Sequence, residues 1–232
     1  MIFHIVGASR CRTTSLANWL NLSDEVKFPE SKEGLHQSTS DSSIKYGTAN
    51  ARMFMHNGIE QVLDKEAKLI FLVRNPVDRA YSHWYHFRSR LPHYEVDRFH
   101  VAIKKNYERY LTEGILFNEM LNITLKDITS PDNLEKMYIK SYLETGLYCQ
   151  QMEKFKSFTK LVLSVDTLNL EETKNIICDF LAIPFINKPF SKVNDNRRIN
   201  EIDTHSKLFL EEFYEDDLEL FNKEYNVEVP LL

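Results

Sequence analysis

Glycine is scarce in this chain, with six among 232 residues, so the few present, Gly7 and Gly146 above all, stand out. Cysteine is limited to Cys11, Cys149 and Cys178. They are scattered and odd in number, which excludes a disulfide framework and reads as reduced thiols of a cytoplasmic protein. No apolar run approaches membrane-spanning length, and no basic leader with a small-residue cleavage site precedes the first strand, so neither a membrane anchor nor a secretory signal is expected. A net charge of −5 speaks against a general polyanion-binding surface, and no nucleic-acid or membrane partner is expected. Internal repeats and interdomain linkers are lacking too. What remains is 43% hydrophobic content over 232 residues, enough for one domain spanning residues 1–232 with a full core.

Ile2 to Val6 read as a short buried strand, and Thr13 to Leu20 open an apolar-periodic helix. Gly7, Ser9, Arg10, Arg12, Thr13, Thr14 and Ser15 lie between or at the helix start, and all suit an anion. A strand feeding a loop into a helix N-terminus aims free N–H groups and the positive end of the helix dipole at one point. An ordinary strand–turn–helix with polar turn residues is the competing reading. Against the nucleotide-loop pattern G-x-x-x-x-G-K-S/T, Gly7 and Thr14 fit, but Arg12 replaces the second glycine and Thr13 the lysine. Loss of that lysine argues against a triphosphate with magnesium, while Arg10 and Arg12 keep the loop cationic.

A second segment follows the same plan. Lys68 to Val73 is a continuous apolar run of strand length, followed by Arg74-Asn75-Pro76-Val77-Asp78-Arg79-Ala80-Tyr81-Ser82. Asn75 is a good N-cap, and Pro76 suits the first helical position. Arg74 then sits at a strand tip, and Ser82, roughly 800° further around the helix, faces the same side. Arginine supplies a bidentate fork for phosphate and serine a hydroxyl donor. Taken alone, the segment also fits a plain cap with Asp78 and Arg79 as solvated charges.

Together the two segments resemble the sulfotransferases that use 3′-phosphoadenosine-5′-phosphosulfate (PAPS), in the style of soluble carbohydrate and bacterial members. The family's 5′-phosphosulfate loop, approximately K-x-G-T-T-S-L, corresponds to Arg10-Cys11-Arg12-Thr13-Thr14-Ser15-Leu16. Its 3′-phosphate segment, approximately R-N-P-V-D-R-A-Y-S, is matched residue for residue from Arg74 to Ser82. Lys32-Glu33 resembles the family's K-E pair, Gly146-Leu147-Tyr148 its G-x-Y helix, and Phe180 to Ile183 its F-L-G-I ending. Arg10 preserves the cation of the loop lysine. Arg12 departs from glycine, so its side chain must point away or join the site.

The resemblance implies a three-layer, P-loop-like α/β fold with a mainly parallel central sheet flanked by helices. It implies sulfuryl transfer from PAPS to a hydroxyl or amine of a glycan or small natural product, by in-line displacement. Arg10 would stabilise the leaving phosphate, and Glu33 would act as base with His36 in reserve. Arg10, Cys11, Arg12, Thr13, Thr14, Ser15, Arg74, Ser82, Tyr148, Arg197 and Arg198 would line the nucleotide, the last two in a basic loop over its 3′-phosphate. No metal is expected: His83 and His86 are three apart on a helix, but no third ligand lies near them in sequence. A P-loop small-molecule kinase, or a fold that binds nucleotide without turnover, remain the alternatives. The acceptor and the oligomeric state are not legible.

Around these motifs the periodicity predicts an irregular polar stretch over 24–57 that covers the site, with a short strand at 44–46 and a helix over 57–63. Further helices are expected over 76–91, within 94–125, and over 134–145, 147–158, 170–181 and 204–225, with a strand at 161–165 and a loop over 184–203.

Overall fold

In the computed structural model, which describes residues 1–30, 43–55, 58–93, 95–113, 141–191 and 202–231, the apolar runs become adjacent parallel strands. The strands are β1 (Ile2–Ile5), β2 (Val26–Lys27), β3 (Lys45–Ala49), β4 (Lys68–Val73) and β5 (Lys160–Ser164). They form one sheet in the order β2-β3-β1-β4-β5, with every pair parallel. Successive residues of a strand point to opposite faces, yet Leu69 through Val73 are all fully buried. Both faces of the sheet are therefore covered, as in a three-layer α/β fold. The covering helices are α1 (Thr13–Leu20), α2 (Ile59–Val62), α3 (Pro76–Arg90), α4 (Phe99–Glu113), α5 (Tyr148–Met152), α6 (Glu171–Leu181) and α7 (Thr204–Tyr225). Short 3-10 turns lie at Ala51–Phe54, Glu144–Gly146 and Glu153–Phe155.

The strand order reverses between β1 and β4, and in open parallel sheets a crevice opens at that point, outside the carboxyl ends of the strands. Pairing with β4 continues past β1: Val6 N–H donates to Ile70 O at 2.9 Å and Ala8 N–H to Leu72 O at 3.1 Å. Gly7 sits between them with no room to spare, because a Cβ there would lie 2.9 Å from Thr13 Cγ2 and 3.0 Å from the Leu72 nitrogen. The loop, the start of α1 and the tip of β4 are thus packed against each other through the missing side chain.

Helix α3 begins as its sequence requires. Asn75 Oδ1 accepts from Val77 N–H at 2.9 Å and Asp78 N–H at 3.0 Å, and Pro76 occupies the first turn. The Asn75 amide also donates to Pro230 O at 2.9 Å, tying the helix start to the end of the chain. Arg79, open to the reading of a solvated charge, is instead fully buried. Its guanidinium donates to the Tyr142 carbonyl and, at 3.4 Å, approaches His83 Nδ1. Burial, and then the neighbouring Arg79 and Arg10, hold His83 well below its ordinary pKa, so it is neutral and able to accept. Tyr214 of α7 donates to the carbonyls of Tyr142 and Leu143 at 3.2 and 3.0 Å. Gly146 is what admits Tyr214, since a Cβ at residue 146 would come within 2.7 Å of the ring.

Three elements differ from the sequence expectation. β2 is a two-residue strand in a stretch read as irregular. The helix expected over 147–158 is α5 followed by a 3-10 turn, with Asp217 of α7 accepting from Cys149 and Gln150 N–H at 2.9 and 3.1 Å. Most of the helix expected over 134–145 lies outside the described residues, and its end is the Glu144–Gly146 turn. Among the described residues no helix is long and apolar enough to cross a membrane.

Replacing Asn75 by Ala removes the cap and the link to Pro230, and the expected cost is about 1–2 kcal/mol of unfolding free energy in urea titrations. Asn75→Ser, which keeps a capping oxygen and gives up only the Pro230 link, should lose less.

Candidate active site

The crevice between β1 and β4 gathers the loop residues and the start of α3. Arg10 and Arg12 both take left-handed backbone, φ 71° and 56°, the conformation that favours glycine. For Arg12 this settles the departure from the loop pattern. It is the N-cap of α1, held in the turn a glycine would make, with its side chain exposed and no side-chain cap on the helix. The backbone strain is retained, and the side chain lies in solvent.

Arg10 turns across the crevice. Its Nε donates to Ser82 Oγ at 3.2 Å, and Nη1 lies 3.3 Å from His86 Nδ1. The loop after β1 and the helix after β4 therefore share one arginine. His86, half-buried beside this cation, is pushed down to about 4 by burial first and then by Arg10 and Arg90, so it is neutral at pH 7. Helical period was the available signal for it: His86 is one turn beyond Ser82 on the same face.

Arg74 stands at the tip of β4, mostly covered, with its guanidinium 3.5 Å from the Asp78 carboxylate one turn along α3. The other Asp78 oxygen is buried without a hydrogen-bond partner, and burial raises this carboxyl above its ordinary pKa against the lowering effect of Arg74. The Arg74 backbone is fixed by Tyr148, whose hydroxyl donates to the Arg74 carbonyl at 2.8 Å.

Thr13 and Thr14 are half-buried at the start of α1, and Ser15 is buried with its Oγ lacking any hydrogen-bond partner among the described residues. No acidic residue stands in the first turn of this helix. An orphaned hydroxyl, uncapped N–H groups and the nearby Arg10 make a donor set that fits a phosphate or sulfate. Two of the expected nucleotide contacts, Cys11 and Tyr148, are buried. Cys11 is fully buried, its N–H donates to Ala8 O at 3.2 Å, and burial pushes its thiol up to about 11. Tyr148 is also fully buried and serves Arg74. In this structure both pack beneath the crevice, Tyr148 with its hydroxyl on the Arg74 carbonyl. Glu33, His36, Arg197 and Arg198 lie outside the described residues. No group of His, Cys, Asp or Glu able to hold a metal ion occurs among those described.

A family model described as a sulfotransferase domain matches residues 3–208. The chain belongs to the sulfotransferase family. The sulfotransferase from Alicyclobacillus acidocaldarius has the same fold, with a TM-score of 0.68 at 18% sequence identity over 98% of this chain and 96% of that one. No curated protein matches the sequence. Membership carries the P-loop-like α/β architecture and sulfuryl transfer in general, and it sets aside the kinase alternative.

Because this sulfotransferase holds Arg12 left-handed and exposed, Arg12→Gly should raise stability by about 0.5–1 kcal/mol in denaturant titrations, despite the added freedom of the unfolded chain. A loss of stability would mean that the Arg12 side chain makes contacts worth more than the backbone strain.

Proposed function

We propose that this sulfotransferase takes PAPS as its donor and transfers the sulfuryl group to a hydroxyl or amine of a glycan or small natural product. The observation that carries the reading is the 3.2 Å contact between Arg10 Nε and Ser82 Oγ. It joins the loop at the head of α1 to the Arg74 segment, so that two anion-suited positions share one crevice. A donor with a phosphosulfate at one end and a separate 3′-phosphate at the other matches that pairing, whereas ATP lacks the second group.

Bound PAPS would supply an activated sulfuryl group with a phosphate as leaving group. Thr13, Thr14, Ser15 and the α1 N-terminus would hold the 5′ end, and Arg10 would offset the charge that develops on the leaving phosphate. Arg74 and Ser82 would grip the 3′-phosphate, with Arg74 exchanging Asp78 for the ligand and Arg197 and Arg198 closing over it. Glu33 would take the acceptor proton as the acceptor atom approaches sulfur in line, with His36 as second candidate. Fixed arginine charge and helix N–H groups do the work of a metal here, and none is required. The chain acts as a cytoplasmic enzyme without a nucleic-acid or membrane partner.

Two measurements test this. Arg74→Ala should weaken binding of 3′,5′-adenosine bisphosphate by about 2–4 kcal/mol in calorimetry, as for truncation of a buried charge-assisted contact. Adenosine 5′-phosphosulfate binding as tightly as PAPS would remove the 3′-phosphate assignment. With labelled PAPS and an acceptor panel, Glu33→Gln should keep donor affinity and lower kcat by roughly 10²–10⁴-fold, the span of general-base loss. Normal turnover by that variant, together with an inactive His36→Ala, would move the base to the histidine. Tight bisphosphate binding with no transfer to any acceptor would leave a nucleotide-binding protein that does not turn over.

A further inference from the structure

Ser82 and His86 are one helical turn apart on α3, and a single side chain from the opposite wall of the crevice meets both. Arg10 reaches them with two different nitrogens, Nε to Ser82 Oγ at 3.2 Å and Nη1 to His86 Nδ1 at 3.3 Å. A guanidinium presents its donors as a rigid planar fork, so two acceptors stacked about 6 Å along a helix fix its plane as well as its place. A lysine would have to satisfy both from one nitrogen and would leave the plane undefined. The resemblance drawn from the sequence places lysine at residue 10; this chain has arginine there and a histidine where the extra donor falls.

We propose that Ser82 and His86 form a two-point seat for the Arg10 guanidinium, and that His86 is thereby a positioning residue for the cation beside the head of α1. The consequence for catalysis rests on the reading of Arg10 given under the proposed function; the seat itself does not.

The chemistry of the histidine follows from its partner. A guanidinium has no acceptor, so Nδ1 of His86 must be unprotonated and the ring proton lies on Nε2. Burial, Arg10 from the loop and Arg90 from its own helix all disfavour the charged ring and hold it at about 4, and the nearby His83 is itself neutral. The Phe87 ring packs edge-on at 5.4 Å between centroids and adds no charge. At neutral pH the ring is therefore a constant acceptor, and protonating it would set a cation against Arg10.

Nitrogen-15 NMR of the full chain tests the seat without any turnover. Wild-type His86 should show the Nε2–H tautomer, and Arg10→Ala should move its titration upward, because one of the cations that depress it is gone. A proton on Nδ1, or a titration unchanged in Arg10→Ala, would overturn the seat. With PAPS and a working acceptor, His86→Leu should lower kcat roughly ten- to hundredfold, the scale of one charge-assisted hydrogen bond, with little change in the KM for PAPS. His86→Gln, whose side-chain oxygen still accepts, should recover most of that loss. In an Arg10→Lys background, His86→Leu should add little. An equal cost in both backgrounds, or a glutamine variant as poor as the leucine one, would reduce His86 to ordinary packing. If the wild-type chain transfers nothing from PAPS, the donor assignment fails, while the NMR result still decides the seat.

Discussion

The site depends on one piece of backbone pairing: β1 lies beside β4 and stays hydrogen-bonded to it beyond its own last residue, through Val6 and Ala8. Adjacent strands are about 4.8 Å apart, so two loops leaving neighbouring strand tips begin within one side chain's reach of each other. Arg10, left-handed at the crest of the first loop, can then touch a helix that begins after the second. Had another strand intervened, the same residues would face separate openings. Gly7 supports this closeness, since any side chain there would press on Thr13 and the Leu72 backbone and push the tips apart.

Beneath that pairing, α3 is held from below by groups that never reach the crevice. Arg79 is buried against the Tyr142 carbonyl and His83, and the hydroxyl of Tyr214 shares the same carbonyl. A buried cation is costly without hydrogen bonds, and the Tyr142 carbonyl and His83 supply them at the two Nη atoms, leaving Nε without a partner among the described residues. Tyr148, two residues after Gly146, fixes the Arg74 backbone. The segment from Tyr142 to Tyr148 thus anchors both the strand tip and the first turns of the helix that follow it. The cations of the crevice are presented by parts of the chain with little freedom to drift.

What the sequence disclosed was mostly what short-range physics dictates. The apolar runs of β1 and β4, the Asn75-Pro76 helix start and the long closing helix were legible because length, periodicity and capping are local. Bringing Arg10 and Ser82 into one site was implied by the family resemblance and could not be read from spacing, since 72 positions separate them. Arg79 allowed a solvated reading because its partners, Tyr142 and Tyr214, belong to distant elements. The G-x-Y motif around Tyr148 was visible, whereas its burial and its bond to the Arg74 carbonyl depend on distant chain. β2 has only two residues, one buried and one exposed, too few to show alternation. His86 was noticed as half of a metal-like pair with His83, whereas its partner is an arginine from another wall.

The central position of β1 also bears on how the chain is made. Ile2 pairs opposite Tyr46 and Phe3 opposite Lys68, so both edges of the first strand await partners that come later from the ribosome. At translation rates of about 5–20 residues per second, an apolar strand with two open edges emerges seconds before the chain that covers it. The nascent protein carries that strand without its β4 partner until residue 68 and beyond have been made, so β1 is exposed to mispairing during synthesis.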